Sequence, residues 1–130
     1  MHVETAANPA PGFVRSPDYK ITLAPVDRLV TAWLDSTAVA RSSQALVMRE
    51  GNYPPVYYFP RADVDISLLT ATEHNTTCPF KGKASYWTIE AGDSVEENVA
   101  WSYETPYDEM AQIKNYIAFY DSRVRLEMAD

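Results

Sequence analysis

Ala84-Ser85-Tyr86-Trp87-Thr88-Ile89, then Ala91-Gly92-Asp93, then Val99-Ala100-Trp101-Ser102-Tyr103 is the stretch on which the fold turns. Both outer runs alternate with a period of two, the repeat of a strand with one face buried. Gly92 and Asp93 supply the turn chemistry between them, so a β-hairpin is expected here. The same period recurs on both sides. Ile21 and Leu23, then Leu29-Val30-Thr31-Ala32-Trp33-Leu34, read as neighbouring strands of an antiparallel meander split by Ala24-Pro25-Val26-Asp27. Ala38-Val39-Ala40 and Ala45-Leu46-Val47-Met48 read as two more strands, with a helix as the rival for the second because Ala, Leu and Met are good helix formers.

Farther along, Gly51-Asn52-Tyr53-Pro54-Pro55 is a turn signal, and Val56-Tyr57-Tyr58-Phe59, closed by Pro60, is a strand. Asp63 to Leu69 fits one helical turn with Asp63 or Asp65 near its start. Thr70 to Lys83 shows little apolar periodicity and reads as a chemically rich loop. Thr105 to Ala111 fits a short helix with Pro106 in its first turn, and Tyr116-Ile117-Ala118-Phe119-Tyr120 and Val124-Arg125-Leu126 fit the last strands. The expectation is an extended arm over residues 1–18, carrying Pro9, Pro11 and Pro17, and one mainly β domain over 19–130.

Composition narrows the function. The chain has 130 residues and a formal charge of -7, a field that repels phosphate backbones and anionic lipid, so neither nucleic acid nor a membrane is expected as partner. No signal segment or membrane anchor is read at the start, and a single cysteine, Cys78, forms no internal disulfide, so the expected location is the cytoplasm. One cysteine also fails a thiolate zinc site on count, and no metal is expected from His74 with Glu73 or His2 with Glu4.

Tyr58-Phe59-Pro60-Arg61-x-Asp63-Val64, Thr77-Cys78-Pro79-Phe80-Lys81-Gly82-x-Ala84-x-Tyr86, Ala100-Trp101-x-Tyr103-x-x-Pro106 and Ile117-Ala118-Phe119-Tyr120 together resemble, in order and spacing, the bacterial and fungal family called domain of unknown function 427. The likeness runs from about Val30 to Leu126, with Phe80 where the family more often has Tyr. The resemblance implies two antiparallel sheets meeting at an angle, the β-tent or Mss4-like architecture, here without the zinc of many such relatives. It also brings the label of a nucleotidyltransferase with no settled activity.

Three groups of residues are candidates for chemistry. Cys78, close to Lys81 and four residues from His74, reads either as a nucleophile or as an inert packed thiol. Arg61, Lys81 and Lys83 read as an anion site in an acidic chain, or as cations paired with Asp63 and Asp65. Tyr57, Tyr58, Tyr86, Trp87, Trp101 and Tyr103 read mostly as core, with Tyr58, Tyr86, Trp101 and Tyr103 as the subset that would line a pocket for a flat ring. The function expected is a small-molecule binding module for an acidic or planar ligand, with Tyr58, Arg61, His74, Cys78, Lys81, Tyr86, Trp101 and Tyr103 around it and no cofactor. The alternatives are an NTP-using enzyme, in which Asp63 and Asp65 share Mg²⁺ on one strand face beside Lys81, and a protein-interaction module without ligand. Monomer and homodimer both stay open.

Overall fold

The computed structural model describes residues 7–129. A short helix α1 (Pro11–Arg15) precedes strands β1 (Ile21–Pro25), β2 (Val30–Leu34), β3 (Thr37–Ser42), β4 (Leu46–Glu50) and β5 (Val56–Phe59). Then come β6 (Leu69–Cys78), β7 (Gly82–Ala91), β8 (Ser94–Tyr103), β9 (Ile117–Phe119) and β10 (Arg125–Met128). They build two sheets, a seven-stranded one in the order β1-β4-β5-β9-β8-β7-β6 and a three-stranded one in the order β10-β2-β3. Every pairing is antiparallel, as the expected fold class requires. No described helix is long and apolar enough to cross a membrane.

Alternation along the strands gives the large sheet two different faces. One presents Phe59, Ile89, Ala100, Ile117 and Phe119 to Val30, Ala32, Leu34 and Val39 of the small sheet, all buried in one cluster. Phe59 and Phe119 meet edge to face with centroids 5.6 Å apart. The opposite face carries Met48, Tyr58, Ala84, Tyr86, Tyr103 and Ala118, covered in part by Met110 and Ile113 from the 3-10 segment Asp108–Ile113. The hairpin forms as its alternation predicts, with β7 and β8 in register from Ala84↔Tyr103 to Ala91↔Ser94 across a bulge.

Four expectations are corrected. β1 and β2 are not a meander: β1 pairs with β4 in the large sheet and β2 with β3 and β10 in the small one. Thr70 to Lys83 is not a loop, because Leu69–Cys78 is a ten-residue edge strand bulged between Ala71 and Asn75. Most of its side chains are exposed, so it has no buried face to print an apolar alternation. The expected helical turn after Pro60 is two 3-10 turns, Arg61–Asp63 and Ile66–Leu68. The strand reading of Leu46–Glu50 holds over its helical rival, because Val47 and Met48 are buried where β4 pairs on both sides.

The arm is the fourth. Its described part is neither extended nor free: Asn8 and Ala10 donate their backbone N–H groups to the carboxylates of Asp108 (2.8 Å) and Glu109 (2.9 Å). Gly12 then donates to the Pro79 carbonyl at 2.8 Å. A Cβ at Gly12 would stand 2.7 Å from the Phe80 ring and 2.9 Å from the Pro79 oxygen, so this approach needs glycine. Gly12→Ala is expected to lift the arm at a cost of about 1–3 kcal/mol. Trypsin cleavage after Arg15 is the measurement; a rate unchanged from wild type would mean that the contact holds nothing down.

Candidate functional site

The β5–β9 ladder pairs two positions, Tyr58↔Ala118 and Phe59↔Ile117, and beyond them the strands part. Val56 and Tyr57 continue β5 against β4 but pair with no residue of β9, and Pro54 and Pro55 ahead of them have no N–H to offer. The result is a cleft of about 730 Å³ at the end of both strands. Tyr53, Pro54, Pro55, Val56 and Tyr57 form one wall; Phe119, Tyr120 and Asp121 form the other; Leu126, Trp101, Lys81 and Glu50 complete it.

The aromatic groups are held from behind. Trp101 lies 4.6 Å from Tyr120, centroid to centroid, and meets Tyr58 edge to face at 6.5 Å. Tyr120 is 44 % exposed and Tyr53 70 %, large apolar surfaces left open at the rim. Behind Tyr120 runs a hydroxyl chain: Tyr120 Oη to Tyr86 Oη at 3.5 Å, and Tyr86 Oη to Thr76 Oγ1 at 2.9 Å. The bond to Tyr86, with partial burial, pushes the Tyr120 hydroxyl up to about 12, so it stays protonated at neutral pH. Burial pushes Tyr58 and Tyr103 up as well, which keeps both neutral.

At the polar end, Lys81 Nζ donates to Glu50 Oε1 at 2.6 Å, and the two side chains are only 13 % and 17 % exposed. The other oxygen, Oε2, accepts from Tyr19 Oη at 2.6 Å. Burial by itself would raise the Glu50 carboxyl, but the hydrogen bonds from Lys81 and Tyr19 outweigh it and its pKa lies below the ordinary value. The same bond to Glu50 pushes Tyr19 up to about 12. Tyr19 stacks on Phe80 at 4.2 Å and Phe13 meets that ring edge to face at 4.9 Å, so the residues ahead of β1 set the loop that carries Lys81.

Of the eight residues expected around a ligand, Lys81 and Trp101 line the cleft. Tyr58, Tyr86 and Tyr103 are buried beneath the same face as supports. Cys78 packs at the edge of their cluster, and exposed His74 lies edge-on to Tyr86 at 4.5 Å, both outside the cleft lining. Arg61 is a correction: it points to the opposite face. Its guanidinium lies 5.2 Å over Trp87, 3.4 Å from Ser102 Oγ and 3.6 Å from Glu104, so it cannot share an anion with Lys81. Lys83 is exposed on β7 and joins neither.

Sharing of Mg²⁺ by Asp63 and Asp65 is corrected too. Asp63 ends one 3-10 turn and Asp65 caps the next, rather than sharing one strand face; Asp63 accepts from Ser42 at 2.6 Å and Asp65 accepts from Ser67. Among the described residues no group of three His, Cys, Asp or Glu side chains converges. His2 and Glu4 lie outside the described residues. Sequence reasoning missed Glu50, Tyr19, Tyr53 and Tyr120, and named Tyr57 among the sheet aromatics without placing it in the pocket; the two prolines between exposed Tyr53 and half-buried Tyr57 were the available signal.

A family model described as a domain of unknown function (DUF427), which carries a nucleotidyltransferase-type label, matches residues 22–130. No curated protein matches the chain.

Proposed function

The chain belongs to the DUF427 family of domains of unknown function, and from that premise we propose that it is a small-molecule binding module whose ligand is a flat ring held in the cleft between β5 and β9. The observation that carries this reading is the aromatic cleft itself. At about 730 Å³ it falls within the usual range for small-molecule sites, and it is mainly apolar with one polar end. Trp101 and Tyr120 offer ring faces, and the buried tyrosines behind them hold those faces in place before a ligand arrives. The carboxylate pair expected under the nucleotidyltransferase label is not formed: Asp63 accepts from Ser42 and Asp65 from Ser67, and the two do not share a strand face.

Trp101 reports directly on the test. Trp33 lies under Arg125 and Trp87 under Arg61, away from the cleft, so quenching by a ring stacked in the cleft falls on Trp101. Fluorescence titration with adenosine, uridine and riboflavin is expected to show saturable quenching by at least one of them. Trp101→Ala is expected to weaken that ligand, followed by calorimetry, by about 1–3 kcal/mol, the worth of one stacked ring. No saturable change and no thermal shift with any of the three would reject the binding role.

A further inference from the structure

We infer that the ligand is an uncharged ring carrying a hydrogen-bond acceptor, received by Lys81, and that Tyr19 is the positioning residue that keeps Lys81 from serving as an anion site. This rests on the binding role proposed for the cleft and names its ligand class.

A lysine in a pocket ordinarily announces a phosphate or carboxylate, and here the surroundings cancel that meaning. The Lys81 charge is already matched at 2.6 Å by Glu50, which lines the same cleft. Asp121 adds a second carboxylate to the lining, and the whole chain carries -7. An incoming anion would meet a field of its own sign. The ammonium nevertheless has three protons. One goes to Glu50, and no other acceptor among the described residues takes the remaining two. They suit a carbonyl oxygen or ring nitrogen, which needs a donor but no net charge.

Glu50 performs this neutralisation only while its carboxylate stays turned to Lys81. Tyr19 holds the second oxygen at 2.6 Å, and its own ring is fixed by stacking on Phe80, the residue next to Lys81. Tyr19 lies ahead of residues 22–130, the stretch matched by the family model. The segment preceding the family domain therefore selects ligand charge in the site.

The test compares uridine with uridine 5′-monophosphate, and adenosine with adenosine 5′-monophosphate, by Trp101 quenching at about 50 mM salt, where charge is least screened. Wild type is expected to bind each nucleoside at least as tightly as its monophosphate. Glu50→Gln, which uncovers the Lys81 charge, is expected to shift the ratio toward the monophosphate by about tenfold, and added salt to reverse that shift. Tyr19→Phe keeps the stacked ring and is expected to shift the ratio the same way by about threefold. In the Glu50→Gln background it is expected to shift nothing, because Tyr19 acts through Glu50.

A wild-type preference for the monophosphates of tenfold or more would overturn the neutral-ligand inference and leave the binding role standing. An equal effect of Tyr19→Phe in both backgrounds would overturn its positioning role. Absence of quenching and of any thermal shift with all four compounds, in wild type and variants, would overturn the inference together with the binding role beneath it.

Discussion

Phe59→Ala is expected to remove about 3–5 kcal/mol of folding stability, the range for deleting a buried phenylalanine ring. Phe59 has no exposure and stands on the face of the large sheet that meets the small one. Its ring packs edge to face with Phe119 in the middle of that interface, so truncation empties a volume bounded by both sheets. Neither sheet has a disulfide or a described metal cluster to hold it, and Cys78 is a free thiol. Packing therefore carries the union of the two layers, and the lost area cannot be recovered by a small side-chain adjustment. Against a typical reserve of about 5–15 kcal/mol, the variant loses a large part of its margin. Urea unfolding measures it directly. The midpoint should fall without a change of slope, since the folded state stays the same and only its stability drops. A loss under about 1 kcal/mol would show that the sheets are held elsewhere, and Val30, Leu34 and Ile117 would be the next positions to truncate.

Legibility in the sequence followed burial. Strands with buried apolar side chains were read correctly: β7 prints its environment as alternation, the buried end of β8 alternates large and small residues, and β5 is a β-branched and aromatic run closed by Pro60. β6 was invisible for the converse reason: an edge strand with exposed threonines, Glu73, His74 and Asn75 has nothing to alternate against. The partner of β1 was also beyond reach. Sequence adjacency favours pairing with β2, and only the tertiary contacts of Ile21 and Leu23 with the cluster around Met48 and Tyr58 decide for β4.

The site divides in the same way. Lys81 and Trp101 were within reach as motif residues. The grouping with Arg61 failed on parity. Ser102, which Arg61 touches, lies one residue from Trp101 and therefore on the other side of the sheet. Glu50 and Tyr19 were out of reach because their meaning is a contact between residues 31 apart, Tyr19 to Glu50 and Glu50 to Lys81.

Lys81→Met carries the second large effect, and its sign depends on pH. In the wild type the Glu50 pKa lies below its ordinary 4.5. The pair therefore contributes stability above the unfolded carboxylate range, and that contribution is lost as pH falls through the lowered folded value. Methionine keeps most of the Lys81 stem in place but leaves Glu50 half-buried without its cation. Tyr19 still donates to it, yet burial is the largest influence on this carboxyl and then raises it above the ordinary value. At pH 7 the unpaired carboxylate is expected to cost about 1–3 kcal/mol. As pH falls through the raised value, the variant's Glu50 takes up a proton and the charge disappears, while the wild type loses the benefit of its pair at lower pH still. The difference between the two proteins should therefore shrink from pH 7 toward pH 4. Urea unfolding at closely spaced pH values across that window reads the difference. A deficit of the same size at every pH would assign the loss to the packing of the Lys81 stem, and the ion pair would then be a surface courtesy of the cleft rather than the group that fixes its charge.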